Sequence, residues 1–283
     1  MTFSIVARSA DGRQHGVAVA SKFLAVGNAV PAAAAETGAV ATQAMANLAY
    51  RPQVLALLAG GASAQAAVDQ VTGADEGRAH RQLGVVAGTG AGASYTGAEC
   101  MPWAGGRTGE GYALQGNILA GEHVVDAIEA AWLGTSADDA LADRLLAALL
   151  AGDRAGGDRR GRQSAALLVV SPGGGYGGGD DVLVDLRVDD HPDPVPELLR
   201  LRELHELYFG TTDPGLWLPL TGETVAEVAA LLDAAGYPVP EGPPASVDDA
   251  LAAWAGVENL EERLAPGRID PVVLDQLRSA GSR

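Results

Sequence analysis

The 283-residue sequence is short of the features that define several protein classes. It has one cysteine, which excludes an internal disulfide framework and is typical of a reducing cytoplasm. It has no apolar run of the ~18 residues needed to cross a bilayer. Its start, MTFSIVARSADGR, lacks the charged segment and long apolar segment of a secretory signal. We therefore predict a cytoplasmic protein with no membrane partner.

Basic residues are also scarce, and almost all of them are arginine. The chain has 19 Lys and Arg against 36 Asp and Glu, which gives a net charge of −17 at pH 7. A field of that sign repels phosphate backbones, so we predict no nucleic-acid partner. Lys22 is the only lysine, which draws attention to its position.

Hydrophobic patterning predicts an α+β body over residues 1–210, followed by a small helical domain over 211–283. Short apolar or alternating runs predict strands at 3–8, 16–21, 38–43, 81–87, 92–97, 111–119, 163–170 and 181–188. Apolar residues recurring every three or four positions predict helices at 50–59, 63–71, 121–133, 137–151, 195–209, 223–235, 246–255 and 270–280. The order fits antiparallel sheets stacked face to face with helix pairs outside.

Three connections between these elements have informative sequences. Asp11-Gly12 between the first two strands is the signal of a β-hairpin. The glycine-rich SPGGGYGGG lacks the Lys-Ser/Thr ending of a phosphate-binding loop, so a flexible hairpin connection is expected there. The proline-rich YPVPEGPPAS separates two helices of the C-terminal segment.

Thr2 is the first candidate for chemistry. Removal of an initiator methionine before a small residue would expose a free α-amine beside the threonine hydroxyl. An α-amine with a reference pKa near ~8 can accept the hydroxyl proton, so one residue would hold both nucleophile and base. Threonine after methionine is common, however, and has no meaning on its own.

Lys22 strengthens this interpretation of Thr2. It follows the second strand of the predicted hairpin, which returns toward the start of the chain. An ammonium near the α-amine would lower the pKa of that amine and stabilise a developing alkoxide. The alternative is an ordinary surface lysine.

Several segments together resemble the DUF1028 family, which is assigned to the N-terminal-nucleophile (Ntn) hydrolase superfamily. They are MTFSIVAR, GVAVASKF, GAVATQA, RQLGVVA, ASYTG, GYALQGNIL and GDRRGRQSAALLVV, spread over residues 2–209. The resemblance implies a four-layer αββα sandwich with its nucleophile at the mature N-terminus. The C-terminal segment resembles a peptidoglycan-binding-like domain.

The superfamily comparison also implies supporting residues. Asp158 resembles the aspartate that supports the N-terminal threonine, and Ser164 is assigned a similar role. Proteasome β subunits have an aspartate near the end of the second strand. This sequence has Ala20 at that position, followed by Ser21, so it departs from the peptidase pattern. Arg162 is a candidate binder of a substrate carboxylate, because arginine can donate two parallel hydrogen bonds.

Substrate contacts are expected from the end of the third predicted strand. An oxyanion site needs preorganised N–H groups, which the turn at Ala44 could supply with Thr42 and Gln43 nearby. Asn117 in LQGNIL is a further polar candidate, although polar residues in strands are more often structural. We include Ser21 among these substrate contacts.

Two other sites compete with Thr2. Cys100 could act with His80 or His123, but a lone cysteine is more often a small buried hydrophobe. The run VDDHPDP, with Asp189, Asp190, His191 and Asp193, has metal-ligand types, but it precedes a helix that such residues also initiate. We predict no metal and no cofactor.

Two functional hypotheses follow. The first is an Ntn-type hydrolase that cleaves an amide bond in a small metabolite or short peptide, with Thr2 as nucleophile after Met1 removal. The second is a non-catalytic binding or assembly protein on the same scaffold, which recognises a glycan or peptide. A homo-oligomer is expected in either case.

Overall fold

The structure is a computed structural model that describes residues 2–239 and 246–280, and the chain divides into two compact units, Met1–Leu201 and Arg202–Arg283. The strands of the first unit are, in chain order, β1 (Thr2–Arg8), β2 (His15–Ser21), β3 (Pro31–Ala34), β4 (Gly38–Ala44), β5 (Arg81–Ala87), β6 (Ala93–Thr96), β7 (Gly105–Gly109), β8 (Tyr112–Asn117), β9 (Ser164–Val170) and β10 (Val182–Val188). Its helices are α1 (Val26–Ala29), α2 (Tyr50–Ala59), α3 (Ala64–Gly73), α4 (His123–Gly134), α5 (Leu141–Arg154) and the first part of α6 (Pro194–Phe209).

The strands of the first unit form two antiparallel sheets. Sheet A has the order β10-β9-β2-β1-β8-β7, and sheet B has the order β3-β4-β5-β6. The sheets face each other through small and β-branched side chains that include Val6, Val17, Val19, Ala39 and Ala41. Burial of each such valine contributes about 1.5–3 kcal/mol relative to exposure.

Helix pairs cover the outer faces of the two sheets. Phe3 and Ile5 of β1 point away from sheet B and pack in one core with Ile128 and Leu145 of α4 and α5. On the other side, sheet B shares a second core with α2 and α3, formed by residues such as Val40, Val54, Val68 and Val85. The first unit is therefore layered helix, sheet, sheet, helix, which confirms the predicted α+β class.

The β1–β2 hairpin positions the start of the described chain. Gly12 in its turn has a φ of +74°, a left-handed value that favours glycine. The register runs from Arg8 opposite His15 to Thr2 opposite Ser21. Because β1 lies between β2 and β8, Thr2 is placed in the interior of sheet A rather than at an edge.

Sequence patterns missed β3 and β7. Both strands lie at a sheet edge, and their sequences, PAAA and GGRTG, have low strand propensity. They are strands because a neighbouring strand offers a partner, which local sequence does not reveal. The helix predicted at 137–151 is shifted and spans Leu141–Arg154.

The second unit is small and helical, as predicted. Its elements are the rest of α6, β11 (Leu218–Pro219), α7 (Gly222–Ala234), α8 (Val247–Glu258), β12 (Leu264–Ala265), β13 (Arg268–Ile269) and α9 (Pro271–Ala280). Its core includes Val228, Leu232, Trp254 and Leu274. We predicted a boundary after residue 210, and the compact units divide between Leu201 and Arg202, inside α6. Residues 240–245 of the predicted proline-rich link lie outside the described residues.

In the parts of the chain that the structure describes, no helix combines the length and apolar character that crossing a bilayer requires.

Candidate functional site

A row of polar side chains crosses sheet A where four neighbouring strands begin or end. The strand register aligns Ser164 of β9 with Ser21, Ser21 with Thr2, and Thr2 with Asn117 of β8. Directly opposed residues in a sheet point to the same face, which here is the face toward sheet B. Each of the four residues is at least 90 % buried. The hairpin and its two flanking strands therefore assemble a polar site around Thr2.

The Thr2 hydroxyl has a serine partner. Its Oγ1 lies 3.1 Å from the Oγ of Ser21, and either oxygen can be the donor. Thr2 is 6 % exposed, so its hydroxyl is at the edge of the core and not on an open surface. A cavity of about 10 Å³ nearby is lined in part by Phe3, Ser21 and Asp158 but not by Thr2, and it has room for a single water molecule.

A cluster of buried amides lies beneath Thr2, between the two sheets. Gln43 of β4 donates from Nε2 to the Thr2 carbonyl oxygen at 3.4 Å and to Gln82 Oε1 at 2.8 Å. The Oε1 of Gln43 accepts from Ser4 Oγ at 2.7 Å. Asn117 donates from Nδ2 to the same Gln82 Oε1 at 2.9 Å. Sheet B thus holds the first residue of β1 through side-chain hydrogen bonds.

Lys22 and Asp158 meet through the backbone. The Asp158 carboxylate, which is 7 % exposed, accepts from the Lys22 backbone N–H at 2.7 Å and from the Arg160 backbone N–H at 2.8 Å. The exposed Lys22 ammonium donates to the Arg162 backbone carbonyl at 3.3 Å. Asp158 therefore fixes the chain immediately after Ser21, while the Lys22 side chain lies against the loop that carries Arg162.

Arg162 and Ser164 also have protein partners. The Arg162 guanidinium donates to the Asp153 carboxylate at 2.7 Å and to that of Asp193 at 3.4 Å, and these carboxylates raise the pKa of Arg162. Ser164 donates to the Phe23 carbonyl oxygen and accepts from the Val26 backbone N–H. Ser164 therefore fastens the loop that follows Lys22.

The turn at the end of β4 brings one of its three predicted contacts to Thr2. Gln43 reaches the Thr2 carbonyl, as described above. The Thr42 hydroxyl donates instead to the Asn47 carbonyl oxygen at 3.3 Å, so it stabilises the turn. Ala44 has a φ of +65°.

Left-handed backbone is concentrated at this end of the first unit. Among the described non-glycine residues, only five have positive φ: Ala25, Glu36, Ala44, Ile118 and Asn259. Ala25, Ala44 and Ile118 follow closely after Ser21, Gln43 and Asn117 in the chain. Each such residue costs on the order of 1 kcal/mol or more and is found preferentially at functional sites. The strain therefore marks the same strand ends as the polar row.

Comparison with known proteins identifies the family. The family model described as "Family of unknown function (DUF1028)" matches residues 2–198. The chain belongs to the DUF1028 family. This confirms the membership that the sequence predicted. Residues 208–277 match the model PG_binding_2, described as "Putative peptidoglycan binding domain".

A crystal structure of another DUF1028 protein, from Silicibacter pomeroyi, is similar to this one. The two chains are 31 % identical, and the match covers 80 % of this chain and 92 % of that chain with a TM-score of 0.65. No curated protein matches the chain.

Three buried polar residues in and beside the amide cluster were not predicted from the sequence. They are Ser4, Gln82 and Gln115, each 0 % exposed and each on a strand that was otherwise predicted correctly. Gln115 donates to Ser4 Oγ at 2.6 Å. A polar residue in the middle of an apolar strand was the available signal, because most polar groups in a core have hydrogen-bond partners.

The two competing sites have structural explanations. Cys100 donates to the Arg81 carbonyl oxygen, and burial raises the pKa of its thiol, which disfavours the reactive thiolate. His123 contacts the Ala155 carbonyl at 3.0 Å. In the VDDHPDP run, the Asp193 carbonyl accepts from the Glu197 N–H at the start of α6. Over residues 2–239 and 246–280 there is no group of three or more His, Cys, Asp or Glu arranged to hold a metal ion.

Proposed function

We propose that this DUF1028 protein is an Ntn-type amide hydrolase whose nucleophile is the hydroxyl of Thr2, after removal of Met1. The observation that carries the proposal is the place of Thr2 at the head of an interior strand, with its Oγ1 3.1 Å from Ser21 Oγ. The layered order of helix, sheet, sheet and helix supports the same assignment, because it matches the architecture expected for that superfamily.

The proposed reaction has two stages. The Thr2 oxygen attacks the amide carbonyl, its proton passes to the α-amine, and the protonated amine then donates to the leaving nitrogen as the C–N bond breaks. The product is an ester between the acyl group and Thr2. A water molecule, deprotonated by the same amine, attacks this ester, releases the acid and restores the hydroxyl. No metal or cofactor takes part in this scheme.

Neighbouring residues have distinct roles in the proposal. Ser21 orients the Thr2 hydroxyl, and Asp158 with Ser164 holds the chain on either side of Lys22. The Lys22 charge favours the neutral form of the α-amine through space. Arg162 contributes positive charge toward a substrate carboxylate, which must compete with Asp153 and Asp193.

Substrate contacts complete the scheme. The turn at Ala44 supplies backbone donors to the oxyanion, beside Thr42, while Gln43 and Asn117 form the polar floor of the site. The substrate class is a small amide or a short peptide. We further propose a cytoplasmic homo-oligomer without nucleic-acid or membrane partners.

A matched set of variants tests the nucleophile. Thr2→Ser keeps a hydroxyl beside an α-amine, whereas Thr2→Ala differs from Thr2→Ser only in lacking that hydroxyl, and both keep a small second residue. We expect an electrophilic β-lactone to acylate the wild type and Thr2→Ser, and we expect labelling of Thr2→Ala to fall at least about 100-fold. Equal labelling of the alanine variant would contradict the proposal.

A second function is supported by a specific observation. Thr2 is 6 % exposed, so little of it is open to a substrate, which suits a scaffold without turnover. In that case the chain is a binding or assembly protein that recognises a glycan or peptide, and the match over residues 208–277 suggests muropeptides as probes. Two results would favour this function. Calorimetry would show saturable muropeptide binding to the full chain that is equal in the wild type and Thr2→Ala, and the two proteins would be labelled equally by the β-lactone.

A further inference from the structure

The hydrogen bonds of Gln82 determine which way its side-chain amide faces. Its Nε2 has three acceptors: Gly116 O at 2.8 Å, Thr96 Oγ1 at 2.9 Å and Gly105 O at 3.4 Å. Reversing the amide would place an oxygen against two carbonyl oxygens, which cannot donate. The Gln82 Oε1 therefore has to face the opposite way, and because Gln82 is fully buried no water can compensate for a reversal.

This orientation is passed on to Asn117. Because Gln82 Oε1 can only accept, the amide atom of Asn117 that lies 2.9 Å from it has to be the donor Nδ2. The other amide atom of Asn117, the acceptor Oδ1, has no hydrogen-bond partner among residues 2–239 and 246–280. Asn117 stands directly opposite Thr2 in the β1–β8 register and is 2 % exposed. The α-amine of a processed Thr2, on the residue paired with Asn117, is a donor at the same end of this strand pair.

We propose that the Asn117 Oδ1 accepts a hydrogen bond from the α-amine of Thr2, and that Gln82 is the positioning residue that holds Asn117 in this orientation. The inference rests on the proposed function, because it requires a free amine on Thr2. A hydrogen bond from one N–H of the amine to Asn117 Oδ1 fixes the orientation of the amine. It therefore sets the direction of the nitrogen lone pair that accepts the hydroxyl proton. Gln82 acts only through Asn117 and does not touch the reacting atoms.

Because the chain has a single lysine, the pKa of the Thr2 α-amine can be measured by amine labelling. Apart from the α-amine, Lys22 carries the only amine in the chain, so an amine-selective reagent has two targets. Trace acetylation of the full-length protein over a range of pH values, read by mass spectrometry of the two peptides, gives the pKa of each amine. Lys22 is the internal reference. The charged groups at these strand ends, Lys22, Asp158 and Arg160, are unchanged in every variant below.

Asn117→Asp is the decisive variant. A carboxylate in place of the carboxamide adds an opposite charge within hydrogen-bond distance of the α-amine, so we expect the pKa of that amine to rise by about 1 unit or more, with a smaller change at Lys22. Asn117→Leu removes the acceptor and should lower the pKa of the amine. A pKa for Asn117→Asp within about 0.3 unit of the wild-type value would overturn the inference.

Gln82→Met tests the positioning step. It removes the acceptor that orients Asn117, so we expect the pKa of the α-amine to fall when Asn117 is present and to stay unchanged when Asn117 is already leucine. Equal shifts in both backgrounds would show that Gln82 does not act through Asn117 and would overturn its role. The Asn117→Asp result stands independently if the methionine variant fails to fold.

The outcomes separate this inference from the proposed function. A protein that retains Met1 overturns both. A processed Thr2 that reacts with the β-lactone, combined with an unshifted amine in Asn117→Asp, overturns only the inference.

Discussion

His15 should make the stability of the first unit depend on pH between neutral and about 4. It lies on β2 at the opposite end from Ser21, is 0 % exposed, and neither ring nitrogen has a hydrogen-bond partner among the described residues. Burial, with a smaller contribution from the charge of Arg8, lowers its pKa from 6.5 to about 4. The folded protein therefore keeps this ring neutral where the unfolded chain protonates it.

The sign and size of the effect follow from proton linkage. Between pH 6.5 and about 4 the unfolded state binds the extra proton, so stability is fully present above pH 6.5 and falls as the pH is lowered. One pKa unit corresponds to about 1.4 kcal/mol, so His15 accounts for a loss of roughly 2 kcal/mol by pH 5 and roughly 3 kcal/mol by pH 4.

His15→Leu isolates this contribution from that of the 36 acidic residues. The assay is urea unfolding at pH 7, 6, 5 and 4.5, read by pulsed hydrogen exchange in peptides of β1 and β2, which reports on the first unit alone. We expect the free energy of unfolding of the wild type to fall by roughly 2 kcal/mol more than that of His15→Leu between pH 7 and 5. Parallel curves for the two proteins would refute the reasoning.

Two further predictions concern a closely packed glycine and a buried ion pair. Gly92→Ala would place its Cβ 2.1 Å from the Tyr112 backbone carbonyl oxygen, so it should destabilise the first unit by about 2 kcal/mol or more in urea unfolding, whereas Gly73→Ala, which meets no atom within 4 Å, should not. In the second unit Arg263 and Asp270 form a buried ion pair at 2.8 Å with exposures of 4 % and 0 %. Asp270→Asn should cost about 3–5 kcal/mol, measured by exchange in α9 peptides, because it leaves the Arg263 charge buried without its counter-ion. A change under about 1 kcal/mol would contradict that account.

Local patterns were sufficient for the parts of the site that depend on one hairpin. The Asp11-Gly12 turn and the alternation of β1 and β2 predict that the chain returns to its start, and the structure accordingly pairs Thr2 with Ser21. The same alternation explains why the Lys22 side chain does not contact the Thr2 hydroxyl. Consecutive residues at a strand end leave on different sides, so Ser21 and not Lys22 contacts the Thr2 hydroxyl.

Interactions between the sheets could not be predicted in the same way. Gln82 lies 80 residues from Thr2 in the chain, and its hydrogen bond to Asn117 exists only because sheet B packs on sheet A. The edge strand β7 was missed for a similar reason, since GGRTG becomes a strand through pairing with β8. The family resemblance implied the layers of the fold but not this amide cluster.

The central claim is that a processed Thr2 carries both nucleophile and base, and intact-protein mass after β-lactone treatment tests it most directly. We expect a chain that lacks Met1 and carries one equivalent of the probe, mapped to the peptide that begins at Thr2. A chain that retains Met1, or a probe adduct on any other residue with Thr2 unmodified, would contradict it.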